Sequence, residues 1–162
     1  MQKAAHDSEV LAEGQQVFTA CAFIWYEFDG VKKVFLAKRA DTKKFLPGVY
    51  ELPGGHIDFG EDLKEGLKRE VMEELGMHIE IGDVLDVFTY MNEVKKSHSI
   101  EVIYFAQFTD PLENIRLNPE DHSTYGWFSS ENLRETFLTP SDETDPEIIA
   151  IRKGLTILEA GK

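Results

Sequence analysis

The 162-residue sequence predicts an α/β protein, a sheet covered by helices on both faces. Three observations predict it. Strand-like and helix-like runs follow one another in mixed order. The run "SHSIEVIYFAQF" at 97–108 carries Ile100, Val102, Ile103, Tyr104 and Phe105, apolar on both faces, as in a strand at the centre of a sheet. Two segments, 62–75 and the run that opens at Asp145, each combine helix-start signals with one apolar stripe that a helix can lay on a sheet.

Residues 1–15 read as a flexible leader, and 16–162 as a single domain. "QVFTACAFIWYEF" and "VKKVFLAKR" are rich in β-branched and aromatic residues and flank Asp29-Gly30, so they predict a hairpin. "ADTKKFLPGVY" is a loop, and "YEL" is a short strand ended by Pro53-Gly54-Gly55. A helix is expected from Asp62 to Leu75, with Gly76 as its left-handed cap and Leu63, Leu67, Val71 and Leu75 as its apolar stripe. "HIEIGDVLDVFTYM" and the central strand follow, joined by the turn "NEVKK". "TDPLENIRLNPED" is a loop and "STYGWFS" a strand, and "SENLRETF" predicts a short helix capped by Ser129 or Ser130. Asp145-Pro146-Glu147 opens the last helix, whose expected core stripe is Ile148, Ile149, Ile151, Leu155 and Leu158.

The length suits one domain with a sizeable core. At 42% apolar and 29% charged residues the chain is globular rather than disordered. The net charge of −13 argues against duplex nucleic acid as a partner, because an acidic surface repels the phosphate backbone. It leaves room for a small phosphorylated ligand, since a bound cation inverts the local field. Cys21 is the only cysteine and can form no internal disulfide, the N-terminus lacks an apolar signal core, and no run is long enough to span a membrane. A cytoplasmic protein with no membrane partner is the expectation.

"GHIDFGEDLKEGLKREVMEELGM", from Gly55 to Met77, concentrates acids where they repel. Glu70, Glu73 and Glu74 fall within an arc of roughly 100° at 3.6 residues per turn. Like charges at these spacings destabilise a helix, and here they sit near its C-terminal end, where the macrodipole disfavours them. A solvated acidic face is the plain alternative. A hard divalent cation shared between the carboxylates and a substrate phosphate removes the conflict.

The same segment resembles the Nudix box, G-x5-E-x7-R-E-U-x-E-E-x-G-U, where U is a bulky apolar residue. Gly55, Glu61, Arg69, Glu70, Glu73, Glu74 and Gly76 match its fixed positions, and Val71 and Met77 its apolar ones. "ELPG" before it and "YGWFSSENL" after it are similar to the family's flanks, so the likeness runs from about Val17 to Phe137. The resemblance implies an α/β/α sandwich with a mixed sheet. It implies hydrolysis of a nucleoside diphosphate linked to another moiety, with Mg2+ or Mn2+ and an activated water. By position, Glu70, Glu73 and Glu74 would bind the metal, with the Gly55 carbonyl as a further ligand. Glu61 would pair with Arg69 as structural support. The family varies in its general base: either Glu70, or a loop carboxylate, for which Glu120 and Asp121 are the candidates. Their other reading is ordinary turn chemistry in "NPED". Homodimers are common in the family, though no pattern in this chain marks an interface.

Outside the box, Arg39 ends its strand where family members often hold a substrate phosphate, and His56 follows the Gly-Gly turn, where it would approach one. Surface charge and a surface loop histidine are the alternatives. Phe45, Tyr50 and Phe88 are either base-stacking or core residues, Cys21 reads as a small buried hydrophobe, and His98 and His122 read as structural. An intact box favours an enzyme over a nucleotide-sensing module without turnover, and Cys21 lacks the setting of a catalytic cysteine in an isomerase on the same fold. The first proline after the box is Pro111, and "NEVKK" has no tyrosine, so marks of the ADP-ribose and dinucleoside polyphosphate subfamilies are missing. "FLAKRA" followed by "YELPGGHID" looks most like members that act on (deoxy)nucleoside triphosphates, oxidised ones included, giving a monophosphate and pyrophosphate. ADP-ribose or another nucleoside diphosphate sugar is the alternative substrate.

Overall fold

The computed structural model describes residues 13–161; residues 1–12 of the expected leader lie outside the described residues. Seven strands form the sheet: β1 (Gln16–Phe28), β2 (Val31–Arg39), β3 (Tyr50–Glu51), β4 (Gly54–His56), β5 (Ile79–Asn92), β6 (Ser97–Phe108) and β7 (His122–Phe128). Their order is β3-β2-β1-β6-β5, with β4 paired to β1 and β7 to β2. β1 runs parallel to β6 while the other pairs are antiparallel, so the sheet is mixed. Asp29 (φ 49°) and Gly30 (φ 83°) are both left-handed, as a tight two-residue hairpin turn requires.

The two faces follow from strand alternation. Ala20, Ala22 and Ile24 of β1, Phe35 and Ala37 of β2, and Val102, Tyr104 and Ala106 of β6 face helix α1 (Leu63–Leu75). Their neighbours Cys21, Phe23, Val34, Leu36 and Ile103 face helix α2 (Pro146–Ala160). β6 is central and buried on both faces, as its sequence predicts. α1 starts where Asp62 accepts the N–H groups of Lys64 and Glu65, and stops at left-handed Gly76 (φ 66°). Leu67, Val71 and Leu75 are fully buried, each worth about 1.5–3 kcal/mol by apolar transfer. α2 starts at Asp145, which accepts from Glu147 and Ile148.

Three details differ from the sequence reading. Gly54-Gly55 does not end the sheet: Gly54, Gly55 and His56 pair with Cys21, Ala20 and Thr19. The helix expected over 130–137 is a single 3-10 turn, Leu133–Thr136, and Asn132 bonds back to the Ser129 N–H in place of a serine cap. Ile149 is 52% exposed, because it lies about 200° around the helix from buried Ile151; Ala150 and close-packed Gly154 take the core side. Among the described residues no helix is long and apolar enough to cross a membrane.

Candidate active site

β4 brings the start of the box against α1. A side chain at Gly54 would collide with the Ala20 carbonyl, and a Cβ at Gly55 would lie 2.5 Å from the Glu70 carboxyl carbon. Glycine is therefore required at 55 so that Glu70 can lie against the backbone. Glu70 and Glu74 are buried, while Glu73 is half exposed. All three line one cavity of about 660 Å3, together with Gly55, Glu120 and Asp121. That volume suits a ligand of nucleotide size.

Arg69 organises the helix side. Its Nε and Nη2 donate to the two oxygens of Glu61 at 2.8 and 2.9 Å, a two-pronged pair. Nη1 donates to Glu70 at 3.0 Å and to Glu73 at 3.3 Å, and Nη2 also donates to the His56 carbonyl at 3.1 Å. The Glu61–Arg69 pairing implied by the sequence is present. Glu74 turns the other way. It accepts the Gly54 N–H at 3.2 Å, and its second oxygen lies 3.5 Å from His122 Nδ1. Burial, and then the charges of Glu51, Glu70 and Asp121, push its carboxyl well above the usual range. A cluster of hard oxygen donors with such an excess of negative charge fits a hard divalent cation.

The loop candidates come to the same cavity. Asp121 pairs with Lys43 at 3.3 Å, and its carbonyl accepts the Ala40 N–H, which ties the loop before β7 to the loop after β2. Arg39 lines the cavity at the end of β2, but it also works internally, donating to the Phe45 carbonyl at 2.8 Å and to Glu51 at 3.3 Å. His56 lines the cavity too and is buried, with its ring 3.5 Å from Lys95 Nζ, so it is not a surface loop residue. Phe45 and Phe88 line the cavity, whereas Tyr50 packs edge-on against Phe128. His98 lies by Gln16.

Sequence reasoning missed three lining residues. His122, read as structural, is 2% exposed and bridges Glu51 (3.0 Å) and Glu74. Its place directly after Asp121 was the available signal. Glu101, buried, and Glu147, half-buried, lie beside Cys21, with the ligand atoms of all three within 4.8 Å of one another.

Burial, with Glu51 and Asp145 nearby, pushes the Glu101 carboxyl up to about 8. Between its ordinary 4.5 and about 8 it holds a proton in the folded protein and loses it in the unfolded chain. The folded state then binds more protons, so this contribution to stability is full below pH 4.5 and is lost as pH rises to about 8. The melting temperature of Glu101→Gln is expected to fall less steeply from pH 5 to pH 8.5 than that of the parent chain. Parallel melting curves against pH would contradict this assignment.

A model of the NUDIX domain matches residues 18–150. The nucleoside triphosphatase NudI of Escherichia coli O139:H28 is 27% identical over 106 residues, covering 60% of this chain and 74% of that protein. The crystal structure of a MutT NUDIX hydrolase from Burkholderia pseudomallei is 27% identical, with a TM-score of 0.64, over 86% of this chain and 98% of that one. The MutT protein from Methanosarcina mazei Go1 is 25% identical, with a TM-score of 0.69, over 88% and 98%.

Proposed function

The chain belongs to the Nudix family, whose hydrolases act on phosphoric anhydrides, and from that premise we propose that it cleaves a (deoxy)nucleoside triphosphate to a monophosphate and pyrophosphate with Mg2+ or Mn2+. The observation that carries the reading is the convergence of Glu70, Glu73, Glu74, Glu120 and Asp121 on one nucleotide-sized cavity. The similarity to a nucleoside triphosphatase supports the substrate class.

Glu70, Glu73, Glu74 and the Gly55 carbonyl would hold the cation. When bound, it neutralises phosphate oxygens and lowers the pKa of a water. The chain's own groups do the rest. Arg39, kept in place by Glu51 and the Phe45 carbonyl, anchors a phosphate. Lys43, which also lines the cavity, adds a second positive charge. Water attacks a phosphorus within the chain, the anhydride P–O bond breaks, and its electrons leave with pyrophosphate. The water's proton goes to a carboxylate. Asp121 is paired with Lys43 at 3.3 Å and Glu70 with Arg69 at 3.0 Å, which makes Glu120 the first candidate acceptor and Glu70 its rival.

Glu120→Gln is expected to lower kcat by about tenfold or more, roughly 1.4 kcal/mol, with KM little changed. Asp121→Asn should act more weakly, through the loop contact to Lys43. Steady-state kinetics of both beside Glu70→Gln decide it: if neither loop variant loses tenfold, Glu70 takes the proton.

The substrate class is tested by kcat/KM across nucleoside triphosphates, ADP-ribose and sugar nucleotides at one Mg2+ concentration. Triphosphates should lead. A preference of about tenfold for ADP-ribose would overturn the triphosphate reading and leave the metal chemistry standing.

A further inference from the structure

We propose that the part of the cavity bounded by Phe45, Tyr90, Glu101 and Glu147 is a nucleobase clamp: a guanine ring enters between Phe45 and Tyr90 and turns its Watson–Crick edge to the Glu101–Glu147 carboxyl pair. The proposal rests on the nucleotide reading above for the position of the phosphates.

The Phe45 and Tyr90 rings are nearly parallel, 8° apart in plane, with centroids 6.5 Å apart. Carbon atoms in contact sit about 3.5–4.0 Å apart. The spacing is about 0.5 Å short of two contact distances, so a third planar ring enters with a small outward shift of Phe45, which sits in the loop between β2 and β3. Both residues line the cavity.

The strand register puts the acids beside this clamp. Tyr90 is opposite Ser99 and Phe88 is opposite Glu101, so Glu101 is the diagonal neighbour of Tyr90 on the same face of the sheet. Glu147 arrives from the first turn of α2 and also accepts the Leu52 N–H at 3.4 Å. Glu101 is only 5% exposed, and its Oε2 is buried without a hydrogen-bond partner among the described residues. A buried oxygen in that state is costly and is satisfied by a donor from a ligand. Among the described residues no lysine or arginine pairs with Glu101 or Glu147. An anionic phosphate is repelled there, whereas neutral N–H groups are attracted.

Guanine matches the pair better than the other bases. Its edge offers N1–H and N2–H donors beside the O6 acceptor. Two carboxyl groups that keep one proton between them offer acceptors and one O–H donor. Uracil presents a single N–H, and adenine one amino group, so each leaves a buried carboxylate oxygen unpaired. Burial pushes Glu101 up to about 8 and Glu147 well above the usual range, which keeps a proton on the pair near neutral pH.

The test is calorimetric titration of GMP, UMP and inorganic pyrophosphate into the full chain with Mg2+. GMP should bind about tenfold or more tighter than UMP, and Tyr90→Leu and Phe45→Leu should each weaken GMP by about tenfold, the worth of one base–aromatic stack. Both variants should keep pyrophosphate affinity within about twofold of the parent, a change well below the loss of one stack. Glu101→Gln, which turns an acceptor into an amide donor, should erase the preference for GMP over UMP. Equal affinity for GMP and UMP overturns the proposal, as does a pyrophosphate loss that matches the GMP loss. If GMP binds as expected but no triphosphate is hydrolysed, the clamp stands and the hydrolase reading falls.

Discussion

Glu74→Gln is expected to lower kcat by about a hundredfold or more, some 2.7 kcal/mol of transition-state stabilisation, without harming the fold. The two effects separate because of where Glu74 sits. Its carboxyl is 6% exposed and crowded by Glu51, Glu70 and Asp121. Glutamine keeps the oxygen that accepts the Gly54 N–H and removes the charge that repels its neighbours. The metal-free variant should therefore melt at the parent's temperature or above it. With metal the order reverses. Mg2+ at a hundred times its Kd stabilises the parent by about 2.7 kcal/mol, which for a chain of this size raises Tm by about 5–10 °C. The variant should gain much less. Glu73→Gln should show the same loss of rate, though its half-exposed carboxylate relieves less strain when removed. Chelation of divalent cations should abolish turnover in the parent. Two variants with the parent's kcat in Mg2+ would refute the assignment of these carboxylates to the metal.

What could be read from the chain was local. The box is a fixed spacing within one turn and one helix, so Gly55, Glu61, Arg69 and the three glutamates were legible together. Asp62, Gly76 and Asp145-Pro146 announce helix ends by their own backbone preferences, and the helices begin and end there. The remainder depends on partners far along the chain. Gly54-Gly55 reads as a breaker and becomes strand only because Thr19–Cys21 supply its pairing. Glu101 sits in an apolar strand where an isolated acid reads as an outward-facing residue, yet it is buried, with Cys21 of β1 and Glu147 of α2 beside it. His122 acquires its role from Glu51, 71 residues away, and from Glu74 on α1. Short-range rules contain no term for these contacts. For the same reason Tyr90 does not stand out in the sequence: its partner ring, Phe45, belongs to the loop after β2.

Arg69→Ala should reduce both stability and activity, and the loss of stability is the more telling result. All five N–H groups of the guanidinium are engaged: two on Glu61, one on the His56 carbonyl, one on Glu70 and one shared between the two oxygens of Glu73. Alanine leaves Glu61 and Glu70 without their cation in a region where Glu70 is 6% exposed. Removing one partner of a buried pair typically costs 3–5 kcal/mol. Arg69 is 25% exposed and Glu61 19%, so the lower end, about 3 kcal/mol, applies. For a chain of this length that is a fall in Tm of about 6–12 °C. Activity should fall too, because the Glu61 fork fastens the loop 56–61 to α1 and the Nη1 contact aims Glu70. Arg69→Lys discriminates the two functions of the side chain. It restores one positive charge but not the planar fork, so it should recover part of the stability and little of the rate. Thermal melts of both variants, taken without metal, give the structural part alone. An unchanged melting temperature for Arg69→Ala would remove the scaffold role and leave Arg69 as a surface charge that happens to lie among acids.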